Sequence, residues 1–148
     1  MYNITCMKGT IGFYAFDVSP GKQMLPLIVQ AARERGFAEP VMPEAQRRGA
    51  AMERMEEFRR CVAVILGLSS EETMQEVELA QELVKEGVPV FAVADTFRSL
   101  ERPKAKAIAP HVTAGFVALP GDRESAEQFG YQRVEYVGPP PQDRKSVV

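Results

Sequence analysis

The loop after the apolar run IGFYAF contains residue types that suit a small anionic ligand. It carries Asp17, Ser19 and Gly21 in the order D-V-S-P-G-K and leads into a predicted helix. Free backbone N–H groups at the start of a helix can hold an anion. The loop matches neither the G-x-G-x-x-G pattern of dinucleotide sites nor a Walker loop. We therefore predict a small-molecule site here and assign no cofactor to it.

A second polar loop follows the apolar run VPVFAVAD and contains Asp95, Thr96 and Arg98. An aspartate at the end of an apolar strand needs hydrogen-bond partners, and its own loop can provide them. Alternatively, Asp95 points into a crevice and acts as a base or as a hydrogen-bond acceptor for a hydroxyl group. The sequence leaves both alternatives open.

A third polar segment, S-S-E-E, follows the apolar run CVAVILGL. Ser69 and Glu72 have the spacing of a capping box, so Ser69 is predicted to cap the next helix. Its serine-bearing loop is also a candidate ligand contact, although the adjacent glutamates would repel a phosphate. Further along this helix, Glu76 and Glu78 fit its solvated face by amphipathic patterning.

The elements that must position these loops alternate between apolar strands and amphipathic helices. The run from CVAVILGL through a helix to VPVFAVAD is a βαβ unit, which requires parallel strands and a right-handed crossover. We predict an α/β fold with a three-layer, Rossmann-like, doubly wound and mainly parallel sheet of five to six strands. Strands are predicted at residues 11–16, 61–68, 88–95, 113–119 and 132–137, with a weak edge strand or loop at 38–45. Ligands of such sheets bind beyond the carboxyl ends of the strands.

Two further patterns indicate core positions rather than chemistry. Met52, Met55 and Phe58 form a stripe at helical spacing, which is typical of a packed helix face. Cys61 opens an apolar strand and is interpreted as a small core residue. The only histidine, His111, precedes a predicted strand and is therefore expected at the amino edge of the sheet, away from the ligand edge.

The composition excludes several classes of function. The net charge of −2 gives no reason to expect binding to nucleic acid or to an anionic membrane. The two cysteines are too few for a disulfide scaffold, and no C-x-x-C metal motif occurs. No apolar run approaches the ~20 residues that span a bilayer. The amino terminus lacks the pattern of a signal peptide, so we expect a cytoplasmic location. We expect no metal, because the metal motif is missing.

The end of the chain has a different composition from the rest. Gly138 and three consecutive prolines follow the last predicted strand, and prolines in a row favour an extended backbone that leaves a domain. We therefore predict a domain at residues 1–138 and a proline-rich linker or tail at residues 139–148. Gly138 is a further candidate ligand contact because it follows a strand end.

The carboxy-terminal half resembles the amino-terminal domain of GT-B-fold glycosyltransferases and of the related UDP-N-acetylglucosamine 2-epimerases. The resemblance rests on C-V-A-V-I-L-G-L, then G-V-P-V-F-A-V-A-D-T-F, A-G-F-V-A-L and F-G-Y-Q-R-V-E-Y-V-G-P-P, over residues 60–140. The family's G-x-x-x-V-x-x-V-G-N-P element corresponds to Gly130, Val134, Val137, Gly138 and Pro139, with proline in place of asparagine.

The resemblance implies an acceptor-side domain whose proline-containing exit leads to a nucleotide-sugar-binding domain or subunit. Sugar transfer would need both the acceptor-side domain and the nucleotide-sugar-binding domain, so the chain alone is expected to be inactive. Asp17 or Asp95 would be the base that deprotonates an acceptor hydroxyl. The clustered histidines and acids of the epimerases are not seen.

Two other functions remain open. Nucleoside deoxyribosyltransferases carry a nucleophilic glutamate on a helix before a G-k-P-v element, and Glu76 and Glu78 lie near that place, ahead of Gly87 and Pro89. The family's D-x-G-T pattern is missing from the G-L-S-S loop. The other alternative is a non-catalytic binding or assembly domain that forms a homodimer.

Overall fold

The computed structural model describes residues 9–15, 26, 29–38, 40–44, 47, 49–68, 74–94, 103–117, 122–128 and 130–136. The strands are β1 (Ile11–Tyr14), β2 (Ala63–Leu68), β3 (Val90–Ala94), β4 (Ala114–Val117) and β5 (Val134–Tyr136). Residues 29–34 are helical and are called α1. The later helices are α2 (Ala50–Glu53), α3 (Met55–Arg59), α4 (Gln75–Lys85), α5 (Pro103–Ile108) and α6 (Asp122–Gln128), with a 3₁₀ turn at Ala109–His111.

The five strands form one parallel sheet in the order β1-β2-β3-β4-β5. Val41 extends this sheet beyond β1 through a single parallel bridge to Gly12. Phe13 N–H donates to the Val41 carbonyl at 2.9 Å, whereas Val62 N–H donates to the Thr10 carbonyl at 2.9 Å. Since alternate residues of a strand direct these groups to opposite sides, Val41 and β2 flank β1. The prediction of a doubly wound α/β sheet is confirmed.

The reversal of direction at β1 determines which face each helix covers. The crossover from β1 through α1 to Val41 runs in one direction across the sheet, and all later crossovers run in the other. Because such crossovers are right-handed, α1 covers one face and α2 to α6 cover the opposite face. The main core lies under α2 to α6 and includes Tyr14, Leu66, Leu83 and Ile108, each fully buried.

The second face of the sheet is less completely covered. Phe13 is buried there, but Ile65, Phe91, Val93 and Phe116 are only partly buried. The rings of Phe91 and Phe116 lie 5.9 Å apart between centroids on the neighbouring strands β3 and β4.

The sequence patterns of the core helices explain most of their packing. Met55 and Phe58 are buried as predicted, but Met52 is 37% exposed, so the predicted three-residue stripe is wrong at that position. The reason is a break: α2 ends at Glu53, and α3 begins at Met55 after Arg54. A continuous helical periodicity therefore does not apply across the two segments.

Helix α4 begins later than the capping box predicts. Gly87 follows the end of the helix with a φ of 76°, a conformation that favours glycine. The helix begins at Gln75, and Met74 occupies the N-cap position without a side-chain hydrogen bond. Ser69, predicted as the cap, precedes the observed N-cap by five positions and lies outside the described residues.

Candidate functional site

The carboxyl edge of the sheet is where the topology predicts a ligand. The connection after β1 passes over one face and the connection after β2 over the other, which makes these two strands the topological switch point. Open α/β sheets bind ligands in the crevice at such a point. Tyr14 and Leu68 end the two strands at this edge. Because α4 and α5 follow β2 and β3, their first turns lie at this edge too.

The predicted site residues follow the ends of β1, β2, β3 and β5 in the sequence. All of them lie outside the described residues: Asp17, Ser19, Gly21, Ser69, Asp95, Thr96, Arg98 and Gly138. Seven of these eight residues follow β1, β2 or β3 in the sequence, and these three strands are neighbours that end at the same edge. The individual roles of these residues therefore stay predictions.

A buried ion pair joins the first turns of α4 and α5 at the carboxyl edge. The Nζ atom of Lys104 donates to the Oε2 atom of Glu76 at 2.8 Å, and the side chains are 2% and 0% exposed. Removing one partner of a buried pair leaves a charge in a medium that cannot solvate it, which typically costs ~3–5 kcal/mol. The pair therefore fixes the two helix starts relative to each other.

The prediction that Glu76 lies on the solvated face of α4 is wrong, and that for Glu78, which is exposed, is confirmed. The spacing along the helix could have indicated the burial of Glu76, because this residue shares one helix face with the buried Ala80 and Leu83. The charge of Glu76 argued against burial, whereas the contact with Lys104 accounts for it.

The helix dipoles act differently on the two partners. Glu76 lies in the first turn of α4, where the partial positive charge of the helix favours a carboxylate. Lys104 lies in the first turn of α5, where the same effect disfavours an ammonium group. The carboxylate of Glu76 compensates the charge of the ammonium group there.

A backbone-to-side-chain hydrogen bond ties α2 to the same edge. Gly49, which precedes α2, has a φ of 83°, and its N–H donates to the Oε1 atom of the buried Gln75 at 2.8 Å. Gln75 is the first residue of α4. The starts of α2, α4 and α5 are thus connected through Gly49, Gln75, Glu76 and Lys104.

An exposed ion-pair cluster lies just before α2. The guanidinium of Arg47 donates to both carboxylate oxygens of Glu53, at 3.0 and 2.6 Å, and lies 3.2 Å from Glu44. The hydrogen bonds and charge of Arg47 hold the pKa of the Glu53 carboxyl below its usual range. Exposed pairs of this kind contribute little stability.

Two further reactive side chains within the described residues, Cys61 and His111, have structural positions. Burial raises the pKa of Cys61 to about 11, and its S–H donates to the Glu57 carbonyl at 3.4 Å. A thiol with so high a pKa is a poor nucleophile at neutral pH, and the interpretation of Cys61 as a buried residue is confirmed. His111 ends the 3₁₀ turn before β4, at the predicted amino edge.

The part of the chain that the structure describes contains no cluster of histidine, cysteine, aspartate and glutamate that could hold a metal ion. Within the same residues, no helix has both the length and the apolar character needed to cross a bilayer.

No protein-family model matches the chain, and no curated protein matches it significantly.

Proposed function

We propose that the chain is an acceptor-side domain of the GT-B glycosyltransferase type, and that it works with a second domain or subunit that binds a nucleotide sugar. The proposal is supported by the direction of β5. This strand runs parallel to β4, so Tyr136, its last residue, lies at the carboxyl edge of the sheet. The segment V-G-P-P-P follows directly in the sequence.

A domain attached after β5 starts from the same edge of the sheet as the predicted ligand crevice. This is the arrangement that a two-domain cleft needs, because the two binding faces must meet across the ligand. Strands β3, β4 and β5 are also neighbours in chain order, as the repeated strand–helix pattern of the resemblance implies.

Two residues of the motif shared with the family have roles in the fold itself. Gly130 follows α6 with a φ of 106°, and Val134 is buried in β5. The fold alone therefore accounts for this part of the resemblance. The functional proposal depends on the exit at Gly138 and Pro139 and on the strand ends.

In this proposal, Asp17 or Asp95 takes the proton of the acceptor hydroxyl as that oxygen attacks the sugar carbon, and the nucleoside diphosphate leaves with the bond electrons. Ser19, Gly21, Ser69, Thr96, Arg98 and Gly138 contact the ligands. The partner supplies the groups that hold the diphosphate.

The test combines the chain with the protein encoded beside it and measures the release of UDP from UDP-N-acetylglucosamine, with water taking the place of the acceptor hydroxyl and receiving the sugar. We expect release only from the mixture, and a fall of about 100-fold or more on changing the catalytic aspartate to asparagine (Asp17→Asn or Asp95→Asn), in line with the loss of a general base. The matched control is Glu124→Gln, an exposed carboxylate on α6. Equal activity in both aspartate variants and the control would contradict the assignment of the base.

A second candidate is a nucleoside deoxyribosyltransferase-like enzyme, and the position of Glu76 favours it. The glutamate lies on a helix that follows a strand, ahead of Gly87 and Pro89, and at the carboxyl edge. A nucleophilic carboxylate would attack the sugar carbon of a nucleoside and displace the base. Since Glu76 is fully buried beside Lys104, this reaction requires the edge to open for the substrate.

Incubation with nucleosides and chromatography of the free base tests this candidate. If the chain is such an enzyme, the unmodified chain releases the base and Glu76→Gln does not. Release by Glu78→Gln should be unchanged, because the exposed carboxylate of Glu78 lies on the same helix but away from the edge contact. Circular dichroism checks that each variant is folded, because Glu76→Gln is also expected to lower the free energy of unfolding. The absence of base release at high protein concentration would contradict this candidate.

Light scattering separately tests the prediction of a homodimeric assembly domain.

A further inference from the structure

We draw no further inference here: the strongest candidate, the partly buried apolar sheet face formed by Ile65, Phe91, Val93 and Phe116, carries nothing because nothing in the structure shows what covers it.

Discussion

Replacing Glu76 with glutamine keeps the shape of the side chain but removes the charge that compensates Lys104. The ammonium group then remains 2% exposed in the first turn of α5, without a carboxylate 2.8 Å away. Breaking a buried pair on one side typically costs ~3–5 kcal/mol, which is a large part of the ~5–15 kcal/mol that stabilises an ordinary domain. We expect Glu76→Gln and Lys104→Met to lower the free energy of unfolding by amounts in this range.

The double variant Glu76→Met/Lys104→Met separates the loss of the pair from the loss of packing. Apolar replacement of both partners is often neutral or even stabilising, so the double variant should be more stable than either single variant. With the single variants Glu76→Met and Lys104→Met, the double variant closes a double-mutant cycle. The departure of its stability change from the sum of the two single changes gives the coupling energy of the pair, for which we expect more than about 2 kcal/mol. Even if a single variant fails to fold, a folded double variant supports the argument.

Urea denaturation followed by circular dichroism at pH 7 measures these free energies. The control is Lys85 and Glu82 on α4, an ion pair of 3.2 Å whose side chains are 70% and 37% exposed. Its coupling energy should be below about 1 kcal/mol. The reasoning is refuted if Glu76→Gln changes stability no more than this exposed pair does, or if the double variant is less stable than both single variants.

Four further predictions concern the core. In Gly12→Ala the new Cβ would lie 2.6 Å from a ring carbon of Phe58, so we expect a loss of ~1–3 kcal/mol from overpacking, measured as a lower Tm; an unchanged Tm would show that α3 moves freely. Because burial raises the pKa of Cys61 to about 11, its thiol should react slowly with iodoacetamide at pH 8 and rapidly in urea, and equal rates would contradict its burial. The folded state also holds the proton of this thiol more tightly than the unfolded state does. The free energy of unfolding should therefore fall as the pH rises from 9 towards 11, and Cys61→Ala should reduce this fall. Tyr131→Phe removes a buried hydrogen bond of 2.7 Å to the Ala105 carbonyl, which should lower stability by ~1–3 kcal/mol in urea denaturation; no change would mean that water replaces the hydroxyl.

The sheet could be predicted because its signals are local. Apolar runs such as AVILGL in β2 are long enough to form strands covered on both faces, and the helix between β2 and β3 ends at Gly87. The edge position of Val41 also followed from Pro40 and Pro43, which limit the pairing there to one bridge.

The buried ion pair at the carboxyl edge of the sheet could not be predicted in the same way. The burial of Glu76 depends on Lys104, which is 28 positions away and belongs to a different helix. A local pattern assigns a charged residue to solvent, whereas a partner from another element can stabilise it in the interior. The break at Arg54 that exposes Met52 is also a tertiary feature, because the residues on both sides have ordinary helix propensity.

The direct test of the two-domain proposal is calorimetric titration of the purified chain with UDP-N-acetylglucosamine, alone and then mixed with the separately produced domain encoded beside it. We expect no measurable heat of binding for the chain alone and saturable binding for the mixture, because the diphosphate contacts belong to the partner. Tight binding of the nucleotide sugar by the chain alone would contradict the proposal.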